Sequence, residues 1–372
     1  MWHKFLSWLA HHYLQRRVKK QPPLTLAHLK LETVQQVLLL NATGLGDLLF
    51  STPAIRALKE TYPTWRVDVL AHPRFASLLE HNPHLGRLWL YPGRSLKLFR
   101  LMGELAKQHY HLVIILHGND PEATWLAQGT GCPFIIGSQK SPLSFCYAAT
   151  VSFSDPYRHA VERRLDYVRL VGADTADKRM ELFLTHKELA EAQAILLQHF
   201  GAPPHMLVAL HPTGSAPYKW WPLPSFAEVG EYLYEAWQAA FLIISGSRDR
   251  HIAQNLAGLL PGRTLVTGGG FPLRTTAALL SHCQLLVAND SGPLHLGLAL
   301  KVPTLALLGA DHPYRIGPYQ AAWGSYIYRK EEVCPQDTCL LSRCPHNLCL
   351  QAISPAEVIR KLQSWWEPRW RR

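Results

Sequence analysis

Three polar loops contain the residues whose types and spacing are best suited to chemistry, and each follows an apolar run typical of a β-strand. The first loop is NATGLGD at 41–47, and a helical pattern follows it. Gly44 and Gly46 allow a tight turn whose backbone approaches a ligand closely. Asp47 fits two roles, a helix N-cap or a carboxylate that accepts a proton from a substrate hydroxyl, and the local sequence favours the cap. Because Phe50 stands where the dinucleotide fingerprint has a further glycine, a nicotinamide enzyme is not expected.

The second loop, TGSAPYKWWP at 213–222, combines hydroxyls, a glycine and a lysine directly after the run MLVALHP. These groups suit phosphate oxygens: Thr213 and Ser215 offer hydroxyl donors, and Lys219 offers a compact positive charge. The alternative for Lys219 is a solvated loop lysine. The two tryptophans that follow it are expected to anchor the next helix rather than to contact a ligand.

The third loop, NDSGPLHLGLAL at 289–300, is the most specific segment of the chain. Pro293 is typical of the first turn of a helix, and Asp290 or Ser291 would cap that helix. The amides of such a helix start carry partial positive charge, which suits a pyrophosphate. Asp290 alternatively accepts hydrogen bonds from sugar hydroxyls, while His295 either reaches a phosphate or is a satisfied core histidine.

Four of the seven cysteines recur at every fifth position near the C-terminus: Cys334, Cys339, Cys344 and Cys349. Four thiolates this close in sequence can hold Zn²⁺ or an iron–sulfur cluster. The spacing differs from the familiar C-x2-C pair, so a purely structural role is the main interpretation and a structural metal is the alternative. The other three cysteines fall in predicted core elements, where a thiol packs as a small hydrophobe.

The elements that must position these loops form two series of short Leu- and Val-rich runs that alternate with helical patterns. The first series occupies 37–116, and the second follows a helical stretch at 186–200. Such alternation is typical of a parallel sheet flanked by helices. We therefore expect an α/β protein of two Rossmann-like domains that face each other across a cleft. In such folds ligands bind in loops at the carboxyl ends of the strands, where all three polar loops fall.

Composition restricts the partners. Lysine and arginine outnumber aspartate and glutamate by 38 to 27, and the net charge of +11 favours an acidic partner. The basic residues are spread along the chain apart from its ends, so no nucleic-acid-binding stripe is expected. No apolar stretch reaches the roughly 20 residues of a membrane-spanning helix.

The N-terminal segment MWHKFLSWLAHHYLQRRVKK has aromatic and leucine residues at helical spacing, followed by a basic cluster. This pattern is typical of an interfacial amphipathic helix, and an ordinary surface helix packed on the domain is the equal alternative. A signal peptide would place its charge before the apolar core and end at small residues. We therefore expect the segment to be retained and the protein to be cytoplasmic, with peripheral contact to the inner face of the bacterial inner membrane as an extension of that prediction.

Five segments of the chain resemble, in order, the ADP-heptose:lipopolysaccharide heptosyltransferase family, glycosyltransferase family 9: GLGDLLFSTPAIRALKETYP, HPTGSAPYKWWP, ISGSRD, NDSGPLHLGLAL and PTLALLGADHPYRIGPY. The resemblance spans about residues 35–355. It implies a GT-B fold and the inverting, metal-independent transfer of a heptose from ADP-heptose to the inner core of lipopolysaccharide or a related lipid-anchored glycan. No cofactor is required for such a transfer.

By position, the resemblance assigns roles to individual residues. Asp47 becomes the catalytic base, against the local preference for a cap, in a loop that contains Gly44 and Gly46. The donor contacts then fall on residues of the second half: Thr213, Ser215, Lys219, Asp290, Ser291, Gly292 and His295.

The resemblance also implies a division of the chain. Residues 1–23 form an amphipathic basic N-terminal segment, and residues 24–185 form an acceptor domain. Residues 186–353 form a donor domain that includes the cysteine segment 334–349, and residues 354–372 form a terminal helix that packs back on the N-terminal domain. Three other functions stay open: a catalytically silent protein of the same fold that binds a sugar nucleotide or a membrane surface, a transferase for another nucleotide sugar, and a nucleotide-sugar epimerase.

Overall fold

The structure is a computed structural model that describes residues 11–12, 14–16, 18, 20, 22–93, 97–117, 122–334, 339, 344 and 346–370. The described residues up to Lys178 form one compact unit, and those from Arg179 onward form a second. Each unit is built around a six-stranded sheet. The expected α/β class is confirmed.

The sheet of the first unit is parallel and has the strand order β3-β2-β1-β4-β5-β6. Its strands are β1 (Gln36–Asn41), β2 (Arg66–Ala71), β3 (Leu88–Leu90), β4 (Leu112–His117), β5 (Ile135–Ser138) and β6 (Ala149–Val151). The first four coincide with the predicted runs. The sequence pattern misses the last two, which are four and three residues long. The order is the doubly wound one, in which the direction of winding reverses between β1 and β4.

The helices of the first unit are α1 (Leu45–Phe50), α2 (Thr52–Thr61), α3 (Pro73–Ala76), α4 (Lys97–Ala106), α5 (Glu122–Gly129) and α6 (Ala160–Arg169). The single helix expected after the first loop is thus two helices with a break at Ser51. Pro53 explains the second start, since proline lacks an amide hydrogen and is tolerated only in a first turn. The Ser51 hydroxyl donates a hydrogen bond to the carbonyl oxygen of Asp47, 3.0 Å away, which stabilises the break.

The second sheet repeats this topology. It is parallel with the order β12-β11-β10-β7-β8-β9, so winding reverses between β7 and β10. The strands are β7 (Leu207–His211), β8 (Ala240–Ile243), β9 (Thr264–Val266), β10 (Leu285–Asn289), β11 (Thr304–Leu308) and β12 (Gly324–Tyr328). The first five match predicted runs. The sequence pattern misses the edge strand β12, in which only Ile327 is buried.

The helices of the second unit flank this sheet. They are α7 (His186–Phe200), α8 (Leu223–Trp237), α9 (Arg250–Leu259), α10 (Leu273–Ser281), α11 (Gly292–Ala299), α12 (Pro313–Ile316), α13 (Lys330–Val333), α14 (Leu348–Gln351), α15 (Pro355–Lys361) and α16 (Glu367–Trp370), with a π-helical turn (Leu362–Trp366) between the last two. Helix α7 begins with a capping box, in which the Thr185 hydroxyl accepts from the Glu188 amide and Glu188 accepts from the Thr185 amide. It ends at Gly201, whose φ of 73° suits a glycine.

The last helical segment packs into the core of the second unit. Val358, Leu362 and Trp366 are fully buried in the cluster that contains the apolar residues of β7, β8 and α8. The indole nitrogen of Trp366 donates to the carbonyl oxygen of Gln284. The resemblance also implies that this helix packs back on the N-terminal domain, and that part stays a prediction; the contacts described here are with residues of the second unit.

Part of the N-terminal segment is described. Leu14 is buried in the core of the first unit, and Val18 packs against the same core, while Arg16 and Lys20 are exposed. The aromatic and leucine residues that suggested membrane contact lie outside the described residues. Within the part of the chain that the structure describes, no helix is both long enough and apolar enough to cross a membrane.

The ion pair between Glu188 and Arg274 generates a prediction about acid stability. Two guanidinium nitrogens of Arg274, Nε and Nη2, donate to Glu188, and this lowers the pKa of that carboxyl from 4.5 to about 2. A depressed carboxyl pKa contributes stability that is present above the unfolded-state value and is lost as the pH falls through the folded-state value. Glu188→Gln should therefore destabilise the protein at pH 7 and weaken the loss of stability between pH 4.5 and 2, as measured by urea denaturation.

Glu191→Gln is the matched control, because Glu191 lies on the same helix, is 57% exposed and forms only a long contact of 3.8 Å with Lys187. Equal acid sensitivity of the Glu188→Gln variant and the wild type would show that this pair does not contribute to acid stability.

Candidate functional site

The loops after β7 and β10 are joined at the point where winding of the second sheet reverses. Asn289, fully buried at the end of β10, connects them: its side-chain amide donates to the carbonyl oxygen of Pro212 (2.7 Å), and its side-chain oxygen accepts from the Trp221 amide (3.2 Å). A Cβ atom added at Gly214 would lie only 3.6 Å from the Asp290 carbonyl oxygen. The two predicted donor loops are therefore held side by side.

Lys219 lies between two carboxylates at this junction. Its ammonium nitrogen is 2.6 Å from Oδ2 of Asp290 and 2.9 Å from Oδ2 of Asp311, which follows β11. The side chains of Lys219 and Asp290 are only 13% and 7% exposed, whereas Asp311 is 29% exposed and also contacts Arg315. A solvated loop lysine, the alternative interpretation, is therefore wrong.

The charges of this cluster affect each other strongly. Burial works to lower the pKa of Lys219, but the two carboxylates outweigh burial and raise it. Burial, together with the charge of Asp311, raises the pKa of Asp290 to about 6 despite the opposing effect of Lys219. For Asp311 the cation prevails over burial and lowers the pKa. The lysine is thus fully charged at neutral pH, and Asp290 is the carboxyl of the cluster that titrates nearest to neutrality.

Helix α11 begins next to this cluster. Ser291 occupies the N-cap position, but its hydroxyl does not cap the helix, and Asp290 does not cap it either, since its carboxylate is bound to Lys219. The prediction that one of these side chains caps α11 is wrong. Within the described residues the buried hydroxyl of Ser291 has no hydrogen-bond partner. Gly292 is the first helical residue and Pro293 lies in the first turn. The start of α11 therefore offers amide donors and one hydroxyl to a ligand.

The remaining predicted donor residues are distributed around this point. Thr213 is buried (1% exposed) directly after β7, Ser215 is exposed in the same loop, and His295 is buried within α11. Trp221 anchors the next helix, as predicted. It is 1% exposed, packs edge-on against Phe226 of α8 and donates its indole hydrogen to the Ile353 carbonyl.

Two more polar atoms without described partners lie at the carboxyl edge of the second sheet. His211, which ends β7, donates from Nδ1 to the carbonyl oxygen of Ile244, so that its buried Nε2 is an acceptor without a partner among the described residues. Burial lowers the pKa of His211 to about 4, which keeps the ring neutral. The hydroxyl of Ser245, after β8, is likewise unpaired within the described chain. Buried polar atoms are normally paired, so unpaired ones along one sheet edge are available to a ligand.

Asp47 lies at the equivalent position of the first unit, after β1 at the reversal between β1 and β4. It is the third residue of α1, whose N-cap is Gly44 and has no side-chain cap. The N-cap role that the local sequence favours for Asp47 is therefore wrong. Gly46 is the second residue of the same helix. The Asp47 carboxylate is 35% exposed, and its Oδ1 accepts a hydrogen bond of 2.9 Å from Nη2 of Arg164 on α6.

Asp47 faces the cationic side chain of Arg164 and the titratable side chain of His117. Nε2 of His117, the last residue of β4, lies 3.9 Å from the same Oδ1. Burial and the charge of Arg164 lower the pKa of His117, although Asp47 opposes them. Burial also lowers the pKa of Arg164, against the effect of Asp47. The two partners come from different elements, and together they surround one edge of the carboxylate.

The four clustered cysteines are free thiols, with Cys349 buried and the other three half-buried. Burial raises the pKa of Cys349 to about 11, and the other three cysteines contribute in the same direction. Among the described residues, no group of three or more histidine, cysteine, aspartate or glutamate side chains is arranged to hold a metal ion. The structural zinc or iron–sulfur site therefore stays a prediction from spacing.

Sequence reasoning missed three residues of these clusters. Asp311 and His117 directly follow or end a predicted strand, so their position after an apolar run was an available signal. Arg164 gave no local signal, because nothing in the helical sequence AVERRLDYVR distinguishes it from neighbouring arginines.

Known proteins of similar sequence belong to one family of glycosyltransferases. The family model of glycosyltransferase family 9 (heptosyltransferase) matches residues 98–341. Lipopolysaccharide heptosyltransferase 1 of Pseudomonas aeruginosa is 28% identical over 347 residues, which cover 88% of this chain and 90% of the relative. Lipopolysaccharide heptosyltransferase 3 of Escherichia coli is 24% identical over 293 residues, which cover 72% and 82%.

Solved structures share the fold. A family 9 glycosyl transferase of Veillonella parvula superposes with a TM-score of 0.78 at 22% identity, covering 89% of this chain and 97% of that one. The ADP-heptose lipopolysaccharide heptosyltransferase II of E. coli gives 0.73 at 19% identity, covering 90% and 99%. E. coli heptosyltransferase WaaC with ADP gives 0.69 at 19% identity, covering 89% and 99%. The fold is therefore of the GT-B type, with two Rossmann-like units.

The cluster around Lys219 generates a prediction about stability. Lys219→Ala would leave two buried or half-buried carboxylates without their shared cation, at a cost of about 3–5 kcal/mol in the free energy of unfolding. Adding Asp311→Asn should recover part of this loss, because one of the two unpaired charges is removed. Thermal and urea unfolding of the single and double variants measure both effects. Lys187→Ala, at a lysine that is 85% exposed, should change stability little; a Lys219→Ala variant as stable as that control would contradict the prediction.

Proposed function

The chain belongs to glycosyltransferase family 9, and on that premise we propose that it transfers a heptose from ADP-heptose to the inner core of lipopolysaccharide or a related lipid-anchored glycan, with inversion and without a metal ion. The observation that carries the proposal is the placement of Lys219 beside the start of α11, at the reversal point of the second sheet. A cation and free helix amides at one point suit a nucleoside diphosphate.

The second unit is proposed to bind the donor. Lys219 and the amide of Gly292 at the start of α11 would bind the diphosphate, helped by the Ser291 hydroxyl and by Thr213, Ser215 and His295 nearby. Asp290 would hold the sugar hydroxyls. Two of the three ammonium hydrogens of Lys219 point to carboxylates, which leaves one for a phosphate oxygen. Support for ADP comes from relatives, since the similar structures include E. coli WaaC with ADP and E. coli ADP-heptose heptosyltransferase II.

The first unit is proposed to supply the base. Asp47 is a half-exposed carboxylate in a loop at the carboxyl edge of its sheet, where ligands bind in doubly wound folds. In the loop after β1, a Cβ atom at position 44 would lie 3.6 Å from Oδ2 of Asp47. Because residue 44 is a glycine, it places no side chain beside this oxygen. Such a carboxylate is suited to accept a proton from the acceptor hydroxyl.

The proposed reaction is a single displacement. The acceptor oxygen forms a bond to the anomeric carbon of the heptose while the bond from that carbon to the β-phosphate oxygen breaks, and Asp47 receives the hydroxyl proton. ADP leaves with the bonding electrons, and its new negative charge is stabilised by Lys219 and the α11 amides. Attack from the face opposite the leaving group inverts the anomeric configuration. The protein's own cation and amides neutralise the leaving group, so the scheme needs no metal ion.

The acceptor in this proposal is anchored in a membrane, and the location follows from it. The protein would work in the cytoplasm, peripherally on the inner face of the inner membrane, with contact made by basic and aromatic residues at the chain ends. Arg16 and Lys20 are exposed on the N-terminal segment and are available for such contact. Basic residues near an anionic surface each contribute about 1 kcal/mol to binding.

Nucleotide selectivity tests the donor. Calorimetry should detect binding of ADP but much weaker binding of UDP and GDP to the purified protein. Lys219→Ala should weaken ADP binding by about ten- to a hundred-fold, because a charged hydrogen bond contributes about 1.5–3 kcal/mol. The variant is measured well below its unfolding temperature, with Lys187→Ala as the control. Preference for UDP or GDP would replace the heptose donor by another nucleotide sugar, and a lack of any nucleotide binding would indicate a catalytically silent protein.

Removal of the proposed base tests the mechanism. Asp47→Asn should lower kcat for heptose transfer to heptose-deficient lipopolysaccharide by about 10²- to 10⁴-fold, because general-base catalysis contributes a factor of that size. ADP binding should be unchanged, since its proposed contacts are in the second unit. Asp177→Asn is a closely matched control: Asp177 is 34% exposed and pairs with a buried arginine, Arg56, but lies outside the proposed site. If both variants keep wild-type kcat, Asp47 is not the base.

A further inference from the structure

Arg164 is a buried cation whose carboxylate partner is Asp47. Its side chain is 7% exposed, and Nη2 donates to Oδ1 of Asp47 across 2.9 Å. Within the described residues its Nε makes no hydrogen bond although it is buried. A buried guanidinium is costly unless it is paired, so this contact is the main compensation for burying Arg164.

The contact is asymmetric at the carboxylate. Arg164 and His117 both approach Oδ1 of Asp47, at 2.9 and 3.9 Å. Oδ2 accepts no hydrogen bond from any described residue, and a Cβ atom added at Gly44 would lie 3.6 Å from it. One carboxylate oxygen is thus bound inside the protein and the other is left for an incoming hydroxyl.

Three other arginines of the first unit do not repeat this arrangement. Arg56 is equally buried, with a side chain 7% exposed, but it pairs with Asp177 and Glu60. Arg158 and Arg169 are half-buried and form a network with Glu162, Asp166 and Asp174. Only Arg164 of these four directs a buried charge at the proposed base.

We propose that Arg164 is a positioning residue for the transfer reaction: it orients Asp47 through Oδ1 and directs Oδ2 to the acceptor hydroxyl. This inference rests on the proposed role of Asp47 as the base. A carboxylate that is already fixed needs no reorientation during proton transfer. Arg164 itself touches no substrate in this scheme.

Two side chains face Asp47: Arg164 from α6 and His117 from β4, and on α6 the neighbouring Arg163 and Tyr167 act electrostatically on Arg164. Loss of the guanidinium removes one cause that lowers the pKa of His117, so this pKa should rise. The titration of His117 therefore reports whether Arg164 acts on the site that contains Asp47.

The experiment compares Arg164→Lys, Arg164→Met and the matched control Arg56→Met, with heptose-deficient lipopolysaccharide as the acceptor and ADP-heptose as the donor. Arg164→Met should lower kcat by about 10²-fold, the usual size of a misplaced catalytic group. Its KM for ADP-heptose should stay within about twofold of the wild type, since the donor contacts are proposed for the other unit. Arg164→Lys keeps the charge without the planar fork and should recover part of kcat.

Two further readouts separate positioning from mere structural support. In Arg164→Met the imidazole of His117 should titrate at a higher pH than in the wild type, as followed by NMR, because the guanidinium contributes to lowering its pKa. In the Asp47→Asn background, adding Arg164→Met should cause little further loss, because the two residues act as one unit. Because Asp47 is 35% exposed, water can hydrate its carboxylate once the guanidinium is gone, and the variant should fold. Circular dichroism and unchanged ADP binding verify that it does.

Each outcome decides between the two levels of the proposal. Loss of activity in Arg56→Met as large as in Arg164→Met, with an unshifted titration of His117, would reduce Arg164 to a structural residue. An Asp47→Asn variant that is inactive beside an Arg164→Met variant of wild-type kcat and unshifted His117 titration would overturn the inference and leave the proposed base intact. A wild-type protein that transfers no heptose, or an active Asp47→Asn variant, would overturn the proposed function itself, and the role of Arg164 with it.

Discussion

The reversal of winding within each parallel sheet is the constraint on which both candidate sites depend. Between β1 and β4, and again between β7 and β10, the chain crosses to opposite faces of the sheet, so that the loops at those strand ends diverge and leave a crevice. Asp47 with His117 occupies the first such point, and Lys219 with Asp290 occupies the second. The polar residues are therefore placed by topology rather than by the loops themselves.

Both sites contain buried charge, and in both the charges are balanced by side chains from distant parts of the chain. Arg164 pairs with Asp47, and Lys219 pairs with Asp290 and Asp311. Such pairs rarely stabilise a protein relative to apolar packing, since the cost of removing charges from water offsets their attraction. Their presence at the carboxyl edges, where some buried hydroxyl and imidazole atoms have no hydrogen-bond partner among the described residues, is better explained by chemistry than by folding.

The loops also show how far local sequence rules reach. Asp47 follows a glycine turn and precedes a helix, which is the pattern of an N-cap, yet the helix begins earlier and the carboxylate turns to Arg164. Ser291 does occupy a cap position, but its hydroxyl leaves the amides free. In both places a rule that maximises local hydrogen bonding fails at a proposed ligand site, where unsatisfied groups are useful. The ordered motifs, by contrast, identified the family despite these local failures.

The sequence by itself determined the α/β fold class, the two series of strands and the loops that contain Asp47, Lys219 and Asp290. These features follow from apolar periodicity and from glycine or proline signals, which are local properties of the chain. Tertiary structure alone decided which side chains meet. Arg164 is 117 residues from Asp47, and Asp311 is 92 residues from Lys219. No local pattern encodes such a contact, since it exists only after folding has brought distant parts of the chain together. The protonation of these groups is decided at the same level, because burial and charge separation are properties of the folded protein.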